Sequence, residues 1–264
     1  MGVIMISSTS NAQIKNIIQL QKKSKTRLEQ GAFVIEGIKM FEESVSFGNL
    51  IKAYVSKSFY EEKVLEKFDY FINIPYEIVE DAVLKEASET LTPQGIMALV
   101  KKPEYNLEEI IQNPYANLII LEDLRDPGNL GTIVRTAEGA GVTGIILSKS
   151  SVDMYNPKVI RSTMGAIYRM PFVYVEDLIE TIDKIKRNFI SVYAAHLSAD
   201  CYYDEVNYKG KCAILIGNEA NGLSAEITKK ATKYIKIPMG GNVESLNAAI
   251  AAAILMYEIY RQKR

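Results

Sequence analysis

The order of apolar and polar positions predicts alternating helices and strands along the chain. Apolar residues recur at helical spacing after residue 11, which predicts an opening helix capped by Ser10 or Asn11. Strands are then predicted at residues 33–36, 52–56, 70–74 and 95–100, with a helix at 38–47. This alternation indicates a small α/β domain over residues 1–105.

From residue 117 the same alternation is stronger. Strands are predicted at 118–121, 145–147, 172–175, 190–194 and 213–216, and helices at 130–140, 158–168, 177–187, 224–232 and from 246 onward. Continuous apolar runs are typical of a parallel sheet buried on both faces. We therefore expect a second α/β domain with a mostly parallel sheet over residues 117–264. Prolines and polar residues favour a linker at 106–116.

Composition narrows the class of protein. The 264 residues carry a net charge of −1, which argues against coating nucleic acid by bulk electrostatics. The two cysteines, Cys201 and Cys212, have no metal-ligand spacing, so we expect no metal and a reducing, cytoplasmic location. No leader or lipidation signal is visible, and the longest apolar run, residues 248–257, is far shorter than the roughly 20 residues that span a bilayer. A membrane function is not expected.

Charge is nevertheless uneven. No acidic residue precedes Glu29, whereas five basic residues do, giving a local excess of +5. Such a run is either a solvated helix face or an arm that binds phosphates. The five are Lys15, Lys22, Lys23, Lys25 and Arg27.

Three loops rich in glycine and asparagine follow predicted strands, where an open α/β sheet binds its ligands. The first, residues 122–137, turns at Pro127 and enters a helix. Asn129 would cap that helix or present its amide to a ligand. Arg135 is expected on the first or second turn, where it could serve a site or pair with Glu138 or Asp126.

The second loop, residues 217–224, and the third, residues 240–247, have the same character. Gly217 begins a turn that favours unusual backbone, and Glu219 at its tip is either functional or idle in solvent. Ser245 is placed to cap the last helix, with Asn247 in its first turn.

Other chemistries find little support. His196 is the only histidine, and no nucleophile pattern accompanies it, which disfavours a hydrolytic triad and favours a strand-end or core role. No phosphate-binding P-loop is present. Gly128 and Gly131 form only part of a dinucleotide fingerprint, so a nucleotide-dependent oxidoreductase remains a weak alternative.

The three loops resemble the three motifs of the SpoU (TrmH-like) branch of the SPOUT superfamily, whose members methylate RNA ribose 2′-hydroxyls with S-adenosyl-L-methionine. The matching segments are residues 126–137 (DPGNLGTIVRTA), 216–223 (IGNEANGL) and 237–249 (IPMGGNVESLNAA). Residues 7–15 (SSTSNAQIK) and 33–37 (FVIEG) resemble the appended substrate-binding domain of the ribosomal protein L30e type.

The resemblance implies a carboxy-terminal trefoil knot, a homodimer and specific residue roles. By motif position, Gly217, Ile237 and Leu246 are expected to bind the cofactor. The catalytic and substrate-positioning set is expected to be Asn129, Arg135, Glu219, Ser245 and Asn247. The small residues of the last helix would allow another helix to approach closely.

A polyanionic substrate changes the interpretation of the basic residues. The amino-terminal cluster is then expected to contact RNA, together with Lys149, Lys158, Arg161 and Arg169. A guanidinium is a poor base, so we expect Arg135 to bind the phosphate beside the target ribose and polarise the hydroxyl. The substrate is expected to be ribosomal RNA. Transfer RNA, or a non-catalytic role in ribosome assembly, remain the alternatives.

Overall fold

A computed structural model describes residues 5–66 and 71–264. The chain forms two compact units. The first comprises the described residues up to 103 together with Tyr155–Tyr168, and the second comprises Glu104–Met154 and Arg169–Arg264. The predicted domains are continuous in sequence, whereas these units are not.

The first unit has a five-stranded mixed sheet in the order β1-β4-β3-β5-β2. β1 and β3 run parallel to β4, and β5 runs antiparallel to β3 and β2. Its strands are β1 (Met5–Ile6), β2 (Ala32–Glu36), β3 (Leu50–Ser56), β4 (Tyr76–Val79) and β5 (Ile96–Lys101). Its helices before residue 103 are α1 (Ala12–Lys22), α2 (Ser24–Gln30), α3 (Ile38–Ser46) and α4 (Asp81–Ala87), with a short helical stretch at Lys57–Phe59 and Tyr60–Val64.

One predicted strand of the first unit is wrong. Of residues 70–74, Tyr70 lies outside the described residues, and 71–74 form a helical turn. Phe71 and Ile74 are both buried at helical spacing, which explains the turn. The strand lies after Pro75, at β4.

Residues 155–168 cover part of the first sheet. Ile14, Ile17 and Val34 belong to a core that α1 and α4 share with the sheet. On β2, the neighbouring Phe33 instead contacts Tyr155, with ring centroids 4.7 Å apart, and Tyr168, at 6.4 Å. Because successive side chains of a strand point to opposite faces, the segment lies on the face away from α1. It includes helix α7 (Pro157–Thr163).

The second unit has a seven-stranded sheet in the order β10-β12-β9-β11-β6-β7-β8, and every pairing is parallel. This confirms the predicted parallel α/β architecture. The strands are β6 (Asn117–Leu121), β7 (Gly144–Ser148), β8 (Phe172–Val175), β9 (Ser191–Ala195), β10 (Cys201–Tyr202), β11 (Cys212–Ile216) and β12 (Lys233–Lys236).

Helices pack on this sheet. They are α5 (Leu107–Gln112), α6 (Pro127–Gly139), α8 (Leu178–Arg187), α9 (Ala225–Lys230) and α10 (Ala248–Lys263). The segment 106–116, predicted as a linker, therefore contains a helix, and its Ile110 and Ile111 are buried in the core with β6, β9 and β11. None of the helices in the described parts of the chain is long and apolar enough to span a bilayer.

Candidate active site

A cavity of about 690 Å³ lies in the second unit, where strands β6, β9, β11 and β12 end. Because the strands are parallel, their carboxyl ends meet at one edge of the sheet, and the three loops singled out in the sequence meet there as well. Seven of the eight catalytic and cofactor-binding residues predicted from sequence line this cavity: Asn129, Gly217, Glu219, Ile237, Ser245, Leu246 and Asn247. Arg135 does not.

Asn129 is free of the capping role considered for it. Helix α6 is capped by Asp126, whose Oδ1 accepts a hydrogen bond from the Asn129 backbone N–H at 2.7 Å, and Pro127 occupies the first turn. The side chain of Asn129 is therefore available to other loops.

A chain of hydrogen bonds links the three loops through Asn129. Asn129 Nδ2 donates to Glu219 Oε1 at 3.0 Å, and Asn247 Nδ2 donates to Asn129 Oδ1 at 2.9 Å. Each loop thus contributes one side chain to a single connected group, although the three residues are far apart in sequence. We refer to Asn129, Glu219 and Asn247 as the polar triad.

Glu219 is not idle in solvent. Besides the Asn129 amide, its carboxylate accepts hydrogen bonds from the backbone N–H groups of Asp126 at 3.0 Å and Arg125 at 3.2 Å. Partial burial raises the pKa of Glu219, but these hydrogen bonds outweigh burial and hold its pKa below the ordinary value. Glu219 is therefore charged at neutral pH.

Gly217 allows the second loop to turn sharply. A Cβ at this position would lie 2.1 Å from the carbonyl carbon of Gly222 and 2.2 Å from the backbone nitrogen of Leu223. Asn218 closes the turn through two backbone hydrogen bonds with Gly222, at 2.9 and 3.0 Å. Only glycine permits this close approach.

Asn247, rather than Ser245, caps the last helix. Its Oδ1 accepts hydrogen bonds from the backbone N–H groups of Ala249 at 2.9 Å and Ile250 at 3.3 Å. The capping role weighed for Ser245 is therefore wrong, because α10 begins at Ala248. Ser245 is exposed at the cavity.

Arg135 lies farther along α6 than predicted. It occupies the third turn, is exposed, and forms no hydrogen bond or ion pair within the described residues. The partner considered for it, Glu138, pairs with Arg169 at 2.9 Å. Six residues of helix separate Arg135 from Asn129, which rotates its side chain by about 240° and moves it about 9 Å along the axis. Arg135 therefore points away from the cavity of its own chain.

The predicted RNA-binding residues divide into two groups. Arg27 is buried, and its Nη1 donates to the carbonyl oxygens of Leu20 and Gln21, the latter at 2.9 Å. Arg27 thus bonds to the last turn of α1 and is not available to RNA. The prediction that it contacts RNA is therefore wrong. The exposed members are Lys15, Lys22, Lys23 and Lys25 on the first unit, with Lys25 close to Glu29 at 3.8 Å.

The remaining basic residues are not all near the cavity. Lys158 and Arg161 lie on α7, which belongs to the first unit. Lys149 pairs with Glu176 at 2.6 Å, and Arg169 pairs with Glu138. None of the four lines the cavity.

The cavity combines apolar and polar lining residues, as small-molecule sites generally do. Ile216, Leu223 and Ile237 line it together with the charged Glu219. Among the lining residues that the sequence did not assign to the site are His196 and Lys236. His196 could have been found by the same rule, because it follows predicted strand β9. In the described parts of the chain, no cluster of His, Cys, Asp and Glu could hold a metal ion.

Comparisons with known proteins identify the family of this chain. The model of the SpoU rRNA methylase family matches residues 116–257, and that of the MRM3-like substrate-binding domain matches residues 11–98. The chain is 32% identical over 254 residues to a 23S rRNA (guanosine(2553)-2′-O)-methyltransferase, RlmP, of Bacillus subtilis, covering 96% of this chain and 98% of the relative.

Solved structures give the same result. An AdoMet-bound rRNA methyltransferase from Sinorhizobium meliloti superposes with a TM-score of 0.85 at 29% identity, covering 98% of both chains. The SpoU methyltransferase AviRb from Streptomyces viridochromogenes superposes with a TM-score of 0.85 at 25% identity, covering 96% of this chain and 98% of the other. The family model and the relative from Bacillus subtilis together show that the chain belongs to the SpoU rRNA methylase family.

Proposed function

We propose that this chain transfers the methyl group of S-adenosylmethionine to a ribose 2′-hydroxyl of ribosomal RNA. The observation that carries the proposal is the polar triad, which lines a cavity built from the three family motifs. Ribosomal RNA is favoured because the relative from Bacillus subtilis carries 23S rRNA in its name, and the family model is described as an rRNA methylase.

The protein's task is mainly orientation. The sulfonium of S-adenosylmethionine supplies an already activated methyl group, which would be held by Gly217, Ile237 and Leu246. The polar triad fixes the position of three loops relative to one another, and Ser245 also lines the cavity. Holding two reactants in line accounts for a large part of the rate gain in such transfers.

Arg135 anchors the substrate phosphate in this proposal. A guanidinium presents paired donors that fit a phosphate, and it does not give up its proton near neutral pH. The hydroxyl proton then leaves through that phosphate or through water. Arg135→Lys should lower turnover strongly even at saturating RNA, because an ammonium cannot make the paired contact.

We further propose a homodimer in which Arg135 serves the cavity of the partner subunit. Arg135 is turned away from its own cavity, and it lies on α6, which packs against α10. The surface of α10 carries exposed apolar side chains at helical spacing, including Ile250 and Tyr257, each 50% exposed. Burial of this stripe between two copies would bring each Arg135 towards a second chain.

Mixing two inactive variants tests this arrangement. Arg135→Ala and Asn247→Ala chains are purified separately, unfolded, combined and refolded. If the two residues act across the interface, mixed dimers contain one intact site, and about a quarter of the wild-type activity returns. If both act within one chain, no activity returns, and the proposed exchange is wrong.

The proposed reaction itself is tested with the purified chain, tritiated S-adenosylmethionine and ribosomal RNA lacking its natural modification. We expect label in a 2′-O-methylnucleoside after digestion. Label in transfer RNA alone would show that the substrate is transfer RNA and not ribosomal RNA. RNA binding without label would instead support an assembly factor that has lost turnover.

We also propose that the protein acts in the reducing cytoplasm. The two cysteines, which are both free, support this location.

A further inference from the structure

We infer that the sheet edge beside the cavity binds an unstacked nucleobase of the RNA substrate. This aromatic edge consists of Tyr202, Tyr234, Lys236 and His196. The inference rests on the proposed function, because it assigns a surface for the same RNA that presents the target ribose.

Strand register places the four side chains on one face. Tyr202 of β10 lies opposite Lys236 of β12, and Tyr234 lies opposite Ala194 of β9. Side chains alternate along a strand, so Tyr234 and Lys236 share a face, and His196 shares it with Ala194. Ile235, between the two β12 residues, is fully buried on the opposite side.

The aromatic rings are open and already associated with a positive charge. Tyr202 is 41% exposed and Tyr234 is 37% exposed. Lys236 Nζ lies 5.3 Å from the centroid of the Tyr202 ring, and the His196 and Tyr234 rings are 5.9 Å apart. The nearby carboxylate of Glu205 accepts a hydrogen bond from the Tyr202 backbone N–H at 2.9 Å.

The aromatic edge is continuous with the cavity. His196 and Lys236 line the cavity, whereas Tyr202 and Tyr234 lie just outside it. Leu197, which also lines the cavity, is 64% exposed. A nucleotide strand whose ribose enters the cavity would therefore pass this edge.

His196 adds a directed hydrogen-bond donor. Its Nδ1 accepts from the Ser198 backbone N–H at 3.3 Å and lies 2.8 Å from the Ser198 hydroxyl. A neutral imidazole that accepts at Nδ1 carries its proton on Nε2. Nothing in the described residues accepts a hydrogen bond from Nε2, so this N–H remains available to a base or a phosphate oxygen.

This combination fits single-stranded RNA. Proteins bind unstacked bases by stacking them on aromatic rings and by placing cations near the backbone. Two exposed tyrosines, a lysine and an imidazole donor on one face supply these groups. An apolar protein segment would leave Lys236 and the imidazole N–H without partners.

The test compares RNA and cofactor constants in the full chain. Tyr202→Ala/Tyr234→Ala is measured beside Tyr202→Phe/Tyr234→Phe, which keeps the rings. Tyr115→Ala is the matched control, since Tyr115 is 81% exposed and precedes β6 at the opposite end of the sheet. Each protein is assayed for KM with unmodified ribosomal RNA, for kcat, for direct binding of that RNA, and for S-adenosylmethionine affinity by calorimetry.

We expect the alanine pair to raise the KM and the Kd for RNA by about tenfold or more, as loss of a base stack does. Its S-adenosylmethionine affinity should change less than about twofold, and the phenylalanine pair and the control should resemble wild type. Lys236→Met should lower the salt dependence of RNA binding by about one ion.

The inference is overturned if the alanine pair binds RNA normally, if Tyr115→Ala weakens RNA binding equally, or if only cofactor affinity falls. Should the alanine pair not fold, normal salt dependence in Lys236→Met would contradict the inference. Edge-dependent RNA binding without methyl transfer by the wild type would contradict the proposed function instead, and leave this surface assignment standing.

Discussion

The side-chain amide of Asn129 connects its own loop to the two other loops of the site. Its nitrogen donates to Glu219 and its oxygen accepts from Asn247, so a single side chain satisfies two loops. An aspartate offers acceptors only and would repel the Glu219 carboxylate. The motif identified the residue, but its partners lie 90 and 118 positions away in sequence. Periodicity, which reports local structure, could not have predicted these pairs.

The lowered pKa of Glu219 predicts a pH-dependent contribution to stability. Because the folded pKa lies below the unfolded value of 4.5, the charged carboxylate stabilises the fold above that pH and loses this contribution as the pH falls through the folded pKa. Glu219→Gln should therefore be less stable than wild type at pH 7, and the difference should narrow below pH 4.5.

Urea unfolding at several pH values measures this difference. Glu104→Gln is the control, because Glu104 is exposed and has no hydrogen bond or ion pair in the described residues. A gap between wild type and Glu219→Gln that stays constant down to pH 3 would refute the assigned cause.

The tight turn at Gly217 gives a second prediction for a single residue. Gly217→Ala forces a Cβ into the backbone of Gly222, so the turn must shift. We expect a loss of about 1–3 kcal/mol in the free energy of unfolding, together with loss of S-adenosylmethionine binding. Gly210→Ala, where a Cβ meets nothing within 4 Å, should behave as wild type in thermal unfolding and calorimetry. Normal cofactor binding by Gly217→Ala would contradict the role of this turn.

Helices and strands were predicted well wherever the local pattern was strong. The strand at Phe172–Val175 has the predicted limits, and α6 and α8 begin within three residues of the expected positions. The pattern was insufficient at 106–116, where polar residues and prolines indicated a linker although Ile110 and Ile111 are buried. Whether such a segment is a linker or a helix depends on whether its apolar residues are buried against a sheet. The local sequence does not show this, because other parts of the chain form that sheet.

Asn247 has two roles at the start of α10: its side-chain oxygen caps the helix, and its side-chain nitrogen donates a hydrogen bond to Asn129. A substitution can separate them. Asn247→Asp keeps the oxygen that caps the helix but loses the amide that donates to Asn129. We expect thermal stability near that of wild type and activity at least about tenfold lower, as for a lost orienting contact. Asn247→Ala should in addition lose about 1 kcal/mol of stability, because the cap disappears. Full activity of Asn247→Asp would show that the amide bond to Asn129 is dispensable.

At the level of the whole molecule, the second domain predicted from the sequence includes residues 155–168, whereas these residues belong to the first unit of the structure. The sequence around Tyr155 does not indicate a contact with Phe33, because the two residues are far apart in the chain and meet only after folding. The trefoil knot, likewise, remains a prediction from the family resemblance.

This packing predicts how a fragment behaves. Residues 1–103 alone leave Phe33 and Phe47 without the rings of Tyr155 and Tyr168. We expect broad thermal unfolding and binding of a hydrophobic dye. The same fragment joined to residues 155–168 by a flexible Gly/Ser linker should unfold cooperatively. Equal behaviour of both fragments would argue against a structural role for the segment.

We propose that the three loops position S-adenosylmethionine for methyl transfer to a ribose of ribosomal RNA. The most direct measurement is a map of ribose methylation in total RNA from cells of the source organism that contain or lack this chain. We predict that one or a few ribosomal 2′-O-methyl groups disappear without it, return with the wild-type chain, and do not return with Arg135→Ala or Asn129→Ala. An unchanged map, or full restoration by both variants, would contradict the account.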